Sequence, residues 1–307
     1  MNRRRVFLKS IAAVAALAPL RPLAQSRTRL VLLGTGGGPR VTAKGRAKPA
    51  TLIVANGIPY VIDCGDGVSL QLVRAGVALD TLRYVFITHH HSDHNLDYGN
   101  LIYNAWASGL RKPVDTYGPP PIAAMTDDWF RLNRFDIETR IADEGRVDLR
   151  RLVTAHEFAK DGQVMRNEDV KVTAARVRHP PIDQAYAYRF DCPDRSIVIS
   201  GDTAYAPSLV DLAKGADVLV CEAMHLAGIE RLLAKVPNAA TLREHLLASH
   251  VVAEDVGKLA AEAGVKTLVL SHLVPSDDPS ITEEMWMQDA RKHFKGEVIV
   301  GRDLLEV

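Results

Sequence analysis

Cysteine is scarce in this chain: Cys64, Cys192 and Cys221 are the only three in 307 residues, and they lie far apart. Three thiols allow at most one disulfide, so a framework of bridges is excluded. All three sit in or beside apolar runs, which suits small buried core residues; an oxidising destination would still permit one bridge, with no pair favoured. An excess of one charge is lacking too: 38 Lys and Arg face 37 Asp and Glu, a formal net charge of +1. Past the N-terminus no apolar run approaches the roughly 20 residues that a bilayer-spanning helix needs. No internal repeat, low-complexity tract or linker divides the chain. With 47% hydrophobic and 24% charged residues, the composition is that of an ordinary globular protein, enough for one large domain or two small ones.

The N-terminus is built as a targeting segment. Arg3-Arg4-Arg5-Val6-Phe7-Leu8-Lys9 precedes Ser10 and an apolar run at 11–20, the order of a signal peptide, and Arg4 to Lys9 resembles the twin-arginine export motif. A plain Sec signal or an uncleaved anchor is the competing reading. Residues 1–24 are expected to be a signal peptide; Ala24 suits cleavage, while Ala16-Leu17-Ala18 fits the small-x-small rule better but leaves Pro19 next, which is unfavourable. Cleavage after Ala24 leaves 25–307 as one domain delivered to the periplasm, with no membrane association after cleavage. The segment holds five cations (Arg3, Arg4, Arg5, Lys9 and Arg21) and no anion, so its removal takes the net charge from +1 to −4. A mildly acidic protein without a basic stripe has no electrostatic reason to hold nucleic acid, so the expected partner is a small-molecule substrate.

What the chain does have is imidazole, concentrated in one place. Residues 84–87 (Tyr-Val-Phe-Ile) form an apolar strand that runs into Thr88-His89-His90-His91-Ser92-Asp93-His94. Imidazole and carboxylate are the donors that hold zinc and similar divalent ions, at about 2.0–2.2 Å. In extended chain alternate residues face the same way, so His89 and His91 can converge on one ion. Asp93 continues that alternation, and the turn after it lets Asp93 and His94 face a second ion. His90 points the other way and is not expected to be a ligand. Tags and solvated loops are the bland alternative for a His-rich tract, but these are not normally preceded by a buried strand, nor do they carry an Asp between the histidines.

Short apolar runs at 29–33, 51–54, 60–62, 170–177, 197–200, 218–221, 267–270 and 297–300 read as strands, and 68–75, 207–213 and 252–263 read as helices. Strands that first pair locally and later alternate with helices suit an α/β sandwich of two sheets faced by helices. Residues 98–135 hold seven of the eighteen aromatics, with a helical pattern through Ile122, Met125, Trp129 and Leu132. Helix-to-sheet packing, a pocket wall and a homodimer contact are all open for this segment. Gly34-Thr35-Gly36-Gly37-Gly38 is followed by Pro39 with no helix signal, and reads as a tight turn near the site instead of a nucleotide loop.

Thr88 to His94 resembles the Thr-His-x-His-x-Asp-His signature of the metallo-β-lactamase superfamily. From about residue 29 onward the chain is similar to the ribonuclease Z, arylsulfatase and phosphodiesterase branch of that superfamily. The resemblance implies a four-layer αβ/βα sandwich and two divalent ions per chain, zinc first and manganese or iron otherwise. It makes His179 the third imidazole beside His89 and His91, and Asp202, in Ser-Gly-Asp-Thr, the carboxylate between the ions. It makes His272 the last ligand of the second ion, joining Asp93, His94 and Asp202. Asp63, at another strand end, is expected to brace the metal loop through hydrogen bonds. Glu222 and His250 resemble the acidic and basic partners of that branch: His250 would approach the scissile group, oriented by Glu222, and with Asp93 they carry the catalytic expectation.

The implied activity is hydrolysis by a hydroxide shared between the ions, on a small phosphodiester or sulfate ester. A β-lactamase, a lactonase or a hydrolytic dehalogenase on the same site are alternatives. So are a non-catalytic metal-binding module and a diiron redox protein, although the latter usually has a carboxylate where His91 stands. Only 22 residues, 180–201, separate His179 from Asp202, leaving no room for the long arm that grips tRNA in ribonuclease Z, so transfer RNA processing is not expected. His156, His225, His245 and His293 lack a strand-end context and are expected at the surface or in a polar core.

Overall fold

A computed structural model describes residues 27–41 and 45–307; the signal-peptide expectation for 1–24 lies outside the described residues. The first sheet opens antiparallel with β1 (Arg29–Gly34), β2 (Ala50–Ala55) and β3 (Ile58–Ile62). Asn56 and Gly57 turn the β2–β3 hairpin with φ of 47° and 79°, the left-handed pair that suits strand twist in a two-residue loop. After α1 (Val68–Arg74) the sheet grows in parallel through β4 (Tyr84–Phe86), β5 (Val114–Gly118) and β6 (Val153–Glu157). Between these strands lie α2 (Ser92–Asn95), α3 (Tyr98–Ala107), α4 (Ile122–Leu132) and α5 (Arg134–Glu144).

The second sheet is antiparallel over β7 (Gly162–Arg166), β8 (Lys171–Arg176), β9 (Tyr186–Asp191) and β10 (Ser196–Ile199). It continues in parallel through β11 (Val218–Met224), β12 (Thr267–Val274) and β13 (Glu297–Val300). Its connections carry α6 (Pro207–Ala213), α7 (Leu226–Leu233), α8 (Ala239–Ser249), α9 (Ala253–Ala263) and α10 (Glu283–Arg291), and β14 (Leu305–Glu306) returns to pair with β1. The strand orders are β14-β1-β2-β3-β4-β5-β6 and β13-β12-β11-β10-β9-β8-β7.

Neighbouring residues on the continuous apolar strands serve different layers, because their side chains alternate across the sheet and both faces are covered. Leu30 and Leu32 of β1 pack between the sheets with Phe86, Tyr188 and Phe190. Val31 and Leu33 face the helices on the outer side, where Leu72, Leu101 and Trp106 wait. In the second sheet Val218 and Val220 turn inward, while Leu219 and Cys221 meet Leu209, Val256 and Leu259 of α6 and α9. Three apolar interfaces make four layers, the expected αβ/βα sandwich.

The aromatic segment resolves into packing. Tyr98, Trp106, Phe130 and Trp129 belong to the outer helix-to-sheet core, and Trp129 fills the space over Gly99, where a Cβ would lie 2.1 Å from its ring. Phe135 is an exception and is 84% exposed. The cysteines are free and apart: Cys64 and Cys221 are buried in opposite outer cores, and Cys192 is half-buried.

Two strands run further than the apolar runs foretell. β11 and β12 keep pairing as far as Met224 and Val274, after a register shift between Glu222 and Ala223. His272 has φ +44°, so the strand kinks there instead of ending. The rim where β4, β8 and β10 end, and where β11 and β12 bulge, is the carboxyl edge at which open α/β sheets hold ligands.

Candidate metal centre

Three imidazoles and a carboxylate from separate segments converge first. His89 and His91 leave β4, His179 follows β8 and Asp202 follows β10. His91 Nδ1 lies 3.1 Å from His89 Nε2 and 3.0 Å from His179 Nε2, and Asp202 Oδ2 stands 3.8 and 4.0 Å from those two Nε2 atoms. One proton on His91 Nδ1 serves at most one neighbour at full strength. Ligand nitrogens about 3.3 Å apart are what a tetrahedral ion with bonds of about 2.0–2.1 Å demands. Burial holds His89 well below the usual histidine range and His179 down to about 4, so both rings are neutral, as metal-binding imidazoles must be.

A second group shares the same carboxylate. Asp202 Oδ1 lies 3.2 Å from both His94 Nε2 and His272 Nε2, while Asp93 Oδ2 is 3.7 and 3.3 Å from them. The two oxygens of Asp202 therefore face different clusters. His94 Nε2 and Asp202 Oδ1 are buried without a hydrogen-bond partner among the described residues. An orphaned buried polar atom costs about 1–3 kcal/mol, and a cation between these two would satisfy both. Burial opposes charge on Asp202, but His272 and His94 beside it hold its carboxyl well below the usual range. Burial opposes a charged His94, but Asp202, Asp63 and Asp93 prevail and hold its ring above the usual histidine range, so an ion between these groups would take the place of a proton on that ring.

The far side of most of these rings is braced. His89 Nδ1 meets Thr88 Oγ1 at 3.1 Å, and His179 Nδ1 donates to the Ser249 carbonyl at 2.8 Å. Asp63 Oδ2 holds His94 Nδ1 at 2.7 Å, while Oδ1 accepts from the Thr88 amide at 2.8 Å. Such contacts fix the ring orientation and leave Nε2 facing the site. Asp63 and His272 both carry positive φ, 61° and 44°, a strained backbone of the kind that gathers at functional sites.

Glu222 Oε2 lies 2.8 Å from His250 Nδ1, and its other oxygen accepts from the Thr203 amide. Burial opposes a charged His250 ring, yet Glu222 prevails and pushes the histidine up to about 9. Burial also pushes the Glu222 carboxyl up, and the pair as a unit holds one proton. His90 is turned away, its Nε2 2.9 Å from the Pro119 carbonyl and its Nδ1 3.0 Å from the Asn95 amide. His225 caps α7 from a buried position, and His156 and His293 pair with Asp115 and Glu254 at the surface. His245 departs from the surface or polar-core expectation. It lines the cavity over the site, its ring centroid 5.8 Å from that of His250 and 6.3 Å from that of His91. The signal for it was helical spacing with Leu242 and Leu246, which places all three on one face.

That cavity holds about 430 Å³ and is lined by Gly37, Gly38, His91, Asp93, Asp202, His250 and His272 among others. A larger hollow of about 500 Å³ beside α4 and β6 is lined by no imidazole. The glycine turn meets the site closely: a Cβ on Gly37 would stand 2.7 Å from the His272 ring and 2.5 Å from Val274. Gly37→Ala is therefore expected to displace His272 and weaken metal binding at the second cluster about 10–100-fold, the range for losing support of a ligand. A zinc titration reads this directly; an unchanged titration would mean that the loop yields and the histidine stays.

Comparison with known proteins matches this geometry to a family. The family described as Beta-lactamase superfamily domain matches residues 60–273. The chain belongs to the metallo-β-lactamase superfamily. Ribonuclease Z of Mycobacterium marinum is 31% identical over 281 residues, covering 91% of this chain and 97% of that protein. The metallo-β-lactamase fold protein YhfI from Bacillus subtilis superposes with a TM-score of 0.66 at 21% identity, over 91% of this chain and 98% of its own. Human tRNase Z, short form, gives 0.67 at 20% identity over the same shares.

These relatives correct the expectation of a small-molecule substrate and no nucleic acid. Ribonuclease Z proteins match this superfamily member along nearly their whole length, and ribonucleases act on nucleic acid. Net charge and the short 180–201 connection describe the outer surface, whereas the likeness to ribonuclease Z covers 91% of this chain. Absence of one gripping arm does not exclude a polymer from the rim. Among the described residues, no helix is long and apolar enough to cross a membrane.

Proposed function

We propose that this chain is a metal-dependent phosphodiesterase with RNA among its substrates. The single observation that carries the reading is Asp202, whose two oxygens face two separate imidazole clusters. In this reading His89, His91 and His179 would hold one divalent ion and Asp93, His94 and His272 another, with Asp202 facing both groups. Zinc is favoured by the imidazole and carboxylate donors, ahead of manganese and iron. When bound, such ions supply a nucleophile at neutral pH and neutralise charge on the attacked phosphate.

The remaining work falls to the chain's own residues. Glu222 occupies His250 Nδ1 and so fixes the ring with Nε2 as the nitrogen left for substrate. From there His250 contacts a phosphate oxygen or hands a proton to the leaving oxygen. Identity to ribonuclease Z supports phosphorus over carbon as the attacked atom. The test is turnover by zinc-loaded protein of bis(p-nitrophenyl) phosphate and of tRNA transcripts, alongside aryl sulfate and cephalosporin probes. Cleavage of the phosphodiesters is expected; cleavage of only the sulfate or the lactam would replace this reading.

We also propose that residues 1–24 direct export by the twin-arginine route, on the strength of Arg4-Arg5-Val6-Phe7-Leu8-Lys9 and the apolar run after it. Changing Arg4 and Arg5 to Lys should hold the precursor in the cytoplasm. Normal periplasmic accumulation of that variant would count against the route.

A further inference from the structure

The cavity over the metal centre has two unlike walls. One is ionic: His91, Asp93, Asp202, His250 and His272. The other comes from α7, α8 and the chain between them, where Leu232, Val236 and Leu242 stand half-buried on the cavity side. They pack against Ile229, Leu233 and Leu246, which are buried with Met224 and Val274 in a small core separate from the three cores of the sandwich, and Leu246 and Val274 also reach the cavity. These helices close their own small core with those residues and still leave apolar surface facing the metal site. Ligand cavities are largely apolar with a few convergent polar groups, and this cavity carries both kinds of surface.

We propose that α7 and α8 form an aromatic subsite, which holds a ring attached to the phosphate bound at the metals. The proposal rests on the phosphodiester reading for the anionic end only. Leu242, His245 and Leu246 lie three and four positions apart on one face of α8, a wall about 6 Å long. Leu232 and Val236 extend this wall beyond α8, so it is the imidazole of His245 that favours a ring over an alkyl chain. His245 sits where the walls meet, its ring 5.8 Å from that of His250, and offers an edge or face to an aromatic partner. A nucleobase and a simple aryl group share this chemistry.

The test is calorimetric binding to zinc-loaded protein, which needs no turnover. The probes are methyl phosphate, hexyl phosphate, 1-naphthyl phosphate and thymidine 5′-monophosphate. One or both aromatic probes are expected to bind at least about tenfold tighter than methyl phosphate, the yield of covering one ring face. Whichever of the two gains names the source of the ring. Leu242→Gln should erase that advantage while metal content and methyl phosphate affinity stay unchanged. Equal binding of all four, a hexyl probe as tight as the aromatic ones, or an advantage that survives Leu242→Gln would each overturn the subsite. An intact advantage in a protein that cleaves no phosphodiester would leave the subsite standing and remove the proposed function alone.

Discussion

Asp202→Ala is expected to empty both halves of the centre at once and to lower turnover on the order of 10⁴-fold or more, the upper end of what one positioned group contributes. Asp202 lies 3.2 Å from His94 Nε2 and His272 Nε2, and 3.8 and 4.0 Å from His89 Nε2 and His179 Nε2. Among the described residues it is the one carboxylate within 4.0 Å of four candidate ligands from both clusters. Two dications about 3.5–4 Å apart repel strongly, and an anion between them is what makes the pair tolerable. Asp202→Asn keeps the volume and removes the charge, so it should reproduce most of the loss without opening a cavity. Elemental analysis and phosphodiester kinetics on both variants check this, with thermal unfolding as a control for the fold. Two retained ions with normal turnover would remove Asp202 from its assigned place.

His250→Ala should separate chemistry from metal binding. Asp202, Glu222, His250 and His272 also lie close enough to share an ion, but the His250 ring is tied to Glu222 at 2.8 Å and is assigned to substrate here, outside the two imidazole sets given to the ions. Metal content is expected to stay at about two ions while kcat falls about 10²–10⁴-fold, the usual share of a positioned acid or base. Glu222→Gln should cost less, about 10–100-fold, because it misorients the ring without deleting it. His272→Ala is the contrasting case and should lose metal together with activity. Loss of metal in the His250 variant would make it a ligand and overturn the division of roles.

The sandwich is legible in the sequence wherever a strand is buried on both faces. Residues 29–33 and 218–221 are continuous apolar runs because Leu30 and Val31, or Leu219 and Val220, serve two different cores at once. The seven candidate ligands are legible because short strands deliver them to turns, and the structure brings all seven together around Asp202. Periodicity misses β5, β6, β7 and β9, which lack a continuous apolar run, and β12 beyond Leu270, where parallel pairing with β11 carries the strand through the kink at His272. α7 and α8 escape as well: their buried residues pack mainly on one another and on Met224 and Val274, so no long apolar stripe marks them. His245 shares a helix face with Leu242 and Leu246, but the sequence does not show that this face meets His91 and His179. The substrate expectation fails on different grounds, because surface charge and one missing arm say little about which bond reaches the clusters.

The most direct measurement is the metal content of protein purified without chelator, reloaded with zinc and dialysed, taken together with an anomalous diffraction map. Two ions per chain are expected, one bounded by His89, His91 and His179 and one by Asp93, His94 and His272, with Asp202 touching both. A chain that retains no zinc, or a single ion that leaves one of those groups empty at saturating metal, would contradict a binuclear centre.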